Sequence, residues 1–327
     1  MKIFDKAIGN RNAVLTCYVQ DSGSELPALE TCPAVLILPG GAYAYCSSRE
    51  AEPIAVAYMQ QGYNAFVLRY STSNNCPSQL VFQSALAEAE DALQYLRENV
   101  NELHIEPKKI AAVGFSAGGH LAAALGTMGK VRPDALVLGY AAFQMPMENL
   151  DIQDLNIIDK VDGETPPTFL FTTQADSLVP AVGSMEFGLQ LAKRKIPYEV
   201  HVFVYGDHGA SLGTEVVSNG STPPNRDVSS WVAMSVTFMK HIFNKDPLVP
   251  VKKEVTEYGL DMKISRLLTD EKCAALVVGM LPELKEAFDR QHSTGNISLR
   301  SLQRYSNGMF DAQKLDDLEK KLKQLND

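Results

Sequence analysis

Lys109-Ile110-Ala111-Ala112-Val113-Gly114-Phe115-Ser116-Ala117-Gly118-Gly119-His120 decides how the rest of the chain reads. Residues 110–113 are an unbroken apolar run, the pattern of a strand covered on both sides, and 117–128 are long enough to form a helix. Between them Gly114, Ser116 and Gly118 make a G-x-S-x-G turn, which holds a serine hydroxyl above the sheet. Small residues are needed on either side because strand and helix approach so closely there, and glycine has no Cβ to collide.

Working outward, short apolar runs at 14–19, 34–38, 65–68, 110–113, 135–138, 168–172 and 198–205 read as strands. Between them 50–61, 79–100, 117–128, 182–195 and 229–243 read as crossover helices. Alternating strands and helices imply an α/β architecture with a mostly parallel, covered sheet. Around Asp246-Pro247-Leu248-Val249-Pro250 the prolines break this pattern. Residues 247–327 hold 13 basic and 13 acidic residues, so the net charge of −9 sits entirely on 1–246. We therefore expect a catalytic domain over 1–246 and a small helical module over 247–327. Amphipathic stretches at 264–268, 273–280, 284–288, 299–305 and 315–325 give the second its helices, and its expected role is packing or partner docking.

Composition narrows the partners. The 327 residues are 45% hydrophobic, 21% charged and 8% aromatic, an ordinary globular balance that excludes disordered, collagen-like and coiled-coil chains. An acidic surface disfavours nucleic acid. No apolar run reaches the roughly 18 residues of a membrane span, and Met1-Lys2-Ile3-Phe4-Asp5-Lys6 lacks the apolar core of a secretory signal, so a cytoplasmic protein is expected. Cys17, Cys32, Cys46, Cys76 and Cys273 are odd in number and widely spaced, which suggests reduced structural thiols and neither a disulfide framework nor a zinc site.

A serine hydroxyl is a weak nucleophile until a base takes its proton. Among six histidines, His208 stands in Tyr205-Gly206-Asp207-His208-Gly209-Ala210 just after the last long strand, where a loop can carry it over the carboxyl edge of the sheet. His120, one helical turn past Ser116, reads as a packed or capping side chain; His201 lies within a strand, and His104 and His241 fall at helix ends. The base must be oriented by a carboxylate. Asp176 follows the buried run 168–172, and the 32 residues from it to His208 hold one helix and one strand; Asp207 is the rival, too close along the chain to aim well at the ring. The order Ser, Asp, His is that of one of the three known triad arrangements. For the oxyanion, Gly40 and Gly41, in the loop after 34–38, with the N–H of Ala117, are the expected donors. Nucleotide-binding glycine signatures are absent after these strands.

With these pieces in place, residues 30–245 resemble the α/β-hydrolase superfamily, and within it the hormone-sensitive-lipase-like and acetyl-xylan or feruloyl-esterase-like bacterial members. The resemblance rests on Leu38-Pro39-Gly40-Gly41-Ala42-Tyr43, Ser48-Arg49-Glu50-Ala51-Glu52-Pro53, Gly114-Phe115-Ser116-Ala117-Gly118-Gly119-His120, Ala175-Asp176-Ser177-Leu178-Val179-Pro180 and His208-Gly209. Where some relatives carry H-G-G-G, Pro39 replaces the histidine and Ala42 the third glycine, as in the acetyl-esterase branch. The resemblance implies the α/β-hydrolase fold, a mostly parallel twisted sheet with helices on both faces, and hydrolysis of short acyl esters without a cofactor or metal. The tail is similar to short helical segments that follow some carbohydrate-active bacterial enzymes, through Leu267-Leu268, Leu281-Pro282-Glu283-Leu284 and Ser298-Leu299.

The expectation is a serine carboxylesterase acting on a small-molecule ester, an acetylated sugar or xylo-oligosaccharide, with Ser116, His208 and Asp176 as its triad. Its rivals are a peptidase or amidase of the same fold, a feruloyl esterase and a binding module that kept the fold. Two matters stay open at this point. Residues 143–167 form either a lid over the acyl pocket or a plain crossover, and Arg49 and Glu50 either pair to brace the oxyanion loop or sit on the surface. The neutral tail is a candidate contact in a homo-oligomer.

Overall fold

The computed structural model describes residues 1–9, 13–22, 25–144, 156–246, 255, 257–290, 292–305 and 310–326. The chain divides into two compact units, Met1–Asp246 and Pro247–Asp327.

The first unit runs β1 (Lys2–Ile8), β2 (Ala13–Val19), β3 (Cys32–Leu38), α1 (Glu52–Met59), β4 (Asn64–Arg69), α2 (Val81–Glu98), β5 (Ile105–Phe115), α3 (Ala117–Met128), β6 (Ala135–Gly139), β7 (Thr168–Thr173), α4 (Val182–Lys193), β8 (Tyr198–Phe203) and α5 (Trp231–Asn244). The strands form one eight-stranded sheet in the order β1-β2-β4-β3-β5-β6-β7-β8. β1 and β2 are antiparallel, β2 meets β4 antiparallel, and every pairing from β4 to β8 is parallel.

Alternation along the strands assigns the two faces of this sheet, since successive side chains point to opposite sides. Ala34, Leu36 and Leu38 of β3, with Ile110, Ala112, Leu136 and Leu138, pack against Ala85, Ala89 and Leu93 of α2 and Leu121 and Leu125 of α3. Val35, Ile37, Ala111, Val113 and Val137 go to the other side, with Ile54 and Tyr58 of α1 and Trp231 and Met239 of α5. Both faces are thus covered, and the central segments 34–38, 110–113 and 135–138 are apolar at every position for that reason. A parallel sheet of this kind opens a crevice where its strands end.

Residues 2–8 form an edge strand that was not among the expected strands. Glu88 on α2 is buried and accepts from the N–H and the hydroxyl of Ser71 at 2.6 and 2.5 Å. The second unit comprises α6 (Ile264–Thr269), α7 (Ala274–Met280), α8 (Pro282–Arg290), α9 (Leu299–Tyr305) and α10 (Ala312–Lys323). Its own core includes Leu260, Leu267, Val277, Leu284, Leu299, Leu318 and Leu322. Among the described residues no helix is long and apolar enough to cross a membrane.

Candidate active site

Ser116 sits between β5 and α3 with φ 51° and ψ −119°, a conformation that costs an ordinary residue energy and concentrates at functional sites. The bend is held by the Ser116 N–H donating to Gly139 O at 3.0 Å and by Ser116 O accepting from His120 and Ala142 at 3.0 and 3.1 Å. The surrounding glycines have a steric reason. A Cβ on Gly118 would fall onto the carbonyl oxygens of Leu38 and Pro39, and one on Gly114 onto that of Gly118. The helix therefore starts against the end of β3, and the serine projects where the strands stop.

His208 arrives from the loop after β8. Its Nε2 lies 2.8 Å from Ser116 Oγ, and its Nδ1 lies 2.8 Å from Asp176 Oδ2. Asp176 follows β7, and its second oxygen accepts the N–H groups of Leu178 and Val179 at 2.9 and 2.7 Å. The carboxylate is nearly sealed, its side chain 1% exposed against 16% for His208. Asp207 takes another part: its Oδ1 accepts from the Ser177 N–H and hydroxyl and from the backbone N–H of His208, which together hold its carboxyl below the usual range. The histidine ring packs edge-on against Tyr140, with centroids 5.2 Å apart. Ser116, His208 and Asp176 are thus brought into one hydrogen-bonded chain, in the geometry by which an imidazole can draw a proton from a hydroxyl.

Three of the other histidines have partners of their own. His120 is buried, its Nδ1 2.9 Å from Tyr43 Oη. His201 lies 2.9 Å from Glu199, and His241 lies 2.7 Å from Asp246.

The oxyanion loop departs from expectation at one residue. The N–H of Gly40 donates to Glu50 Oε2 at 2.8 Å, so it is not free to meet an oxyanion. Among the described residues the N–H groups of Gly41 and Ala117 donate to no protein acceptor, and Ala117 is the first residue of its helix, where an unpaired N–H is inherent. Arg49 and Glu50 do not pair. The guanidinium donates to Val217 O and Thr222 Oγ1, both at 2.6 Å, while Glu50 turns inward to Gly40 and to the Tyr140 hydroxyl at 2.5 Å. Burial pushes Glu50 above the ordinary carboxylate range, opposed by the bonds from Tyr140 and Gly40. Glu50 does brace the oxyanion loop, through Gly40 and not through a pair with Arg49, whereas the part of Tyr140 escaped the sequence reading. A charged residue inside the Ser48-to-Pro53 motif was the available signal for Glu50, whereas Tyr140 carries none.

A cavity of about 250 Å³ is lined by Ala141, Ala142, Phe143, Val179, Pro180 and Gly183, among others. Residues 145–155 lie outside the described part, and with them Met145, Met147, Leu150 and Leu155 of the expected lid or crossover. Ile157 and Ile158, just after them, are buried in the core. Among the described residues no group of three or more His, Cys, Asp or Glu side chains is placed to hold a metal ion.

Comparison with known proteins places this geometry. Residues 26–153 match the BD-FAE family model. The chain is 28% identical over 215 residues to endo-1,4-beta-xylanase B of Butyrivibrio fibrisolvens, covering 57% of this chain and 34% of that protein. It is 27% identical over 215 residues to the acetylxylan esterase of Xylanibacter ruminicola, covering 58% and 43%. The chain thus spans less than half the length of these curated relatives. Among solved structures, MGS-M1, an alpha/beta hydrolase enzyme from a Medee basin deep-sea metagenome library, superposes with a TM-score of 0.69 at 45% identity, over 75% of this chain and 98% of that one. A relative so similar, matched over almost its whole length, fixes the family: this chain belongs to the α/β hydrolases.

Proposed function

We propose that this protein is a serine carboxylesterase that removes short acyl groups, acetyl above all, from small sugar or xylo-oligosaccharide esters by way of an acyl-enzyme. The observation that carries the reading is the unbroken chain from Ser116 Oγ through both nitrogens of His208 to Asp176, with 2.8 Å at each link. As Ser116 Oγ bonds to the ester carbonyl carbon, its proton passes to His208 Nε2, and Asp176 stabilises the imidazolium through Nδ1. Charge gathers on the former carbonyl oxygen, and the Gly41 and Ala117 N–H groups receive it. Collapse breaks the bond to the alcohol, which leaves with the proton from Nε2. Water then repeats the sequence on the acyl-enzyme, releasing the acid and restoring the serine.

Likeness to an acetylxylan esterase supports acetyl and a xylose-based alcohol. The test is acetate release from acetylated xylo-oligosaccharides, compared with hydrolysis of 4-nitrophenyl octanoate, methyl ferulate and an aminoacyl amide. The expected order puts the acetyl esters first by at least tenfold in kcat/KM, about 1.4 kcal/mol at the transition state. Preference for the amide or the ferulate contradicts the assignment.

A further inference from the structure

Glu50 is a carboxylate 4% exposed, and the acyl-transfer steps above make no use of it. Among the described residues no lysine or arginine forms an ion pair with it, its neighbour Arg49 being occupied by Val217 and Thr222. Burying a charge without a counter-ion is costly, and the compensation has to come from hydrogen bonds.

Those bonds run to two different loops. Oε2 accepts the N–H of Gly40, at the start of the oxyanion loop, at 2.8 Å. Oε1 accepts the hydroxyl of Tyr140 at 2.5 Å. Tyr140 Oη in turn accepts the N–H of Ser211 at 3.0 Å, three residues beyond His208. Ser211 is fixed further, its hydroxyl donating to Arg49 O at 2.5 Å and its carbonyl accepting the indole N–H of Trp231 at 2.9 Å. The segments so joined hold left-handed backbone at non-glycine positions: φ is 53° at Ala42, 51° at Ser116, 36° at Tyr140 and 51° at Ser211. Such residues persist only where their surroundings over-determine them.

We infer that Glu50 is a positioning residue, whose carboxylate locks the oxyanion loop and the His208 loop together so that Gly41 and His208 address Ser116 at the same time. The inference rests on the acyl-transfer reading above. Two donors converge on this side chain, so two acceptor oxygens are required. A carboxylate has both. A carboxamide of the same shape has one acceptor, so its amino group either confronts the Gly40 N–H or meets Tyr140 Oη and leaves the tyrosine hydrogen with no acceptor.

The test is Glu50→Gln assayed on 4-nitrophenyl acetate and titrated with a trifluoromethyl ketone, which forms the same oxyanion on the serine. We expect kcat to fall roughly 10- to 100-fold with KM within about threefold, a smaller loss than deletion of an oxyanion donor because the donors remain but are misplaced. Affinity for the ketone should fall by the same factor as kcat/KM, which a merely structural role would not produce. Tyr140→Phe keeps the ring and the Gly40 bond but removes the bonds to Glu50 and from Ser211, and is expected to lower kcat by roughly 10- to 30-fold, the effect of two net hydrogen bonds. A Glu50→Gln enzyme with wild-type kcat overturns the inference, as does a loss confined to KM with ketone affinity unchanged. Should that variant not fold, an unaltered kcat in Tyr140→Phe overturns it. Failure of the underlying reading looks different: Ser116→Ala would keep its turnover.

Discussion

Asp176 faces His208 with one oxygen and the backbone with the other: Oδ2 lies 2.8 Å from Nδ1, while Oδ1 accepts from Leu178 and Val179. Because the main chain clamps the carboxylate, it cannot turn away from the imidazole. The orientation of His208 toward Ser116 is thus inherited from the turn that follows β7.

Asp176→Asn should therefore lower kcat by about 10³- to 10⁴-fold with little change in KM, because the amide presents the wrong donor to Nδ1 and inverts the tautomer. Asp207→Asn is the control. Its carboxylate serves Ser177 and the His208 backbone at an exposed loop, bonds worth about 1 kcal/mol each, and it should cost kcat less than tenfold. Steady-state kinetics on 4-nitrophenyl acetate separate the two; equal losses would show that the third triad member is misassigned.

Gly118→Ala should fail to fold or lose more than about 4 kcal/mol, since the new methyl lands on the Leu38 carbonyl and backbone cannot yield as a flexible side chain can. Gly163, with open space around its Cβ direction, is the matched control, and alanine there should stay within about 1 kcal/mol of wild type. Urea unfolding midpoints decide between these outcomes.

How far the sequence disclosed this arrangement depends on the range of the interaction. The bend at Ser116 was legible because its glycines and flanking apolar run are contiguous, and α3 occupies the expected 117–128. Asp176 and His208 were legible by place, Asp176 just past the buried β7 and His208 in the loop after β8, the last strand. β1 was not, because its residues are nearly all exposed and leave no apolar stripe to read. Glu50 and Tyr140 meet across 90 residues, and no local pattern encodes such a contact. Gly40 was misread for the same cause: its place in the loop after β3 suits an oxyanion donor, but the Glu50 side chain occupies its N–H.

The stability of Glu50 should depend on pH in a direction fixed by its burial. Its folded pKa lies above the ordinary glutamate value of about 4.3, so the native state binds this proton more tightly than the unfolded chain does. The group's stabilising contribution is then complete below the ordinary value and is lost as pH rises through the folded one. The Tm of wild type minus that of Glu50→Gln, which has no titrating proton, should accordingly be larger at pH 4.5 than at pH 7.5. A difference that grows with pH would mean that the hydrogen bonds from Gly40 and Tyr140 outweigh burial.

The central claim, that the hydroxyl of Ser116 is made nucleophilic by His208, is tested most directly by reaction with a fluorophosphonate followed by peptide mass analysis, in wild type and in Ser116→Ala. The account predicts one adduct per chain, on Ser116, with no adduct in the variant and a kcat on 4-nitrophenyl acetate reduced by about 10⁴-fold or more. Label on another residue, or a variant that turns over at the wild-type rate, would contradict it.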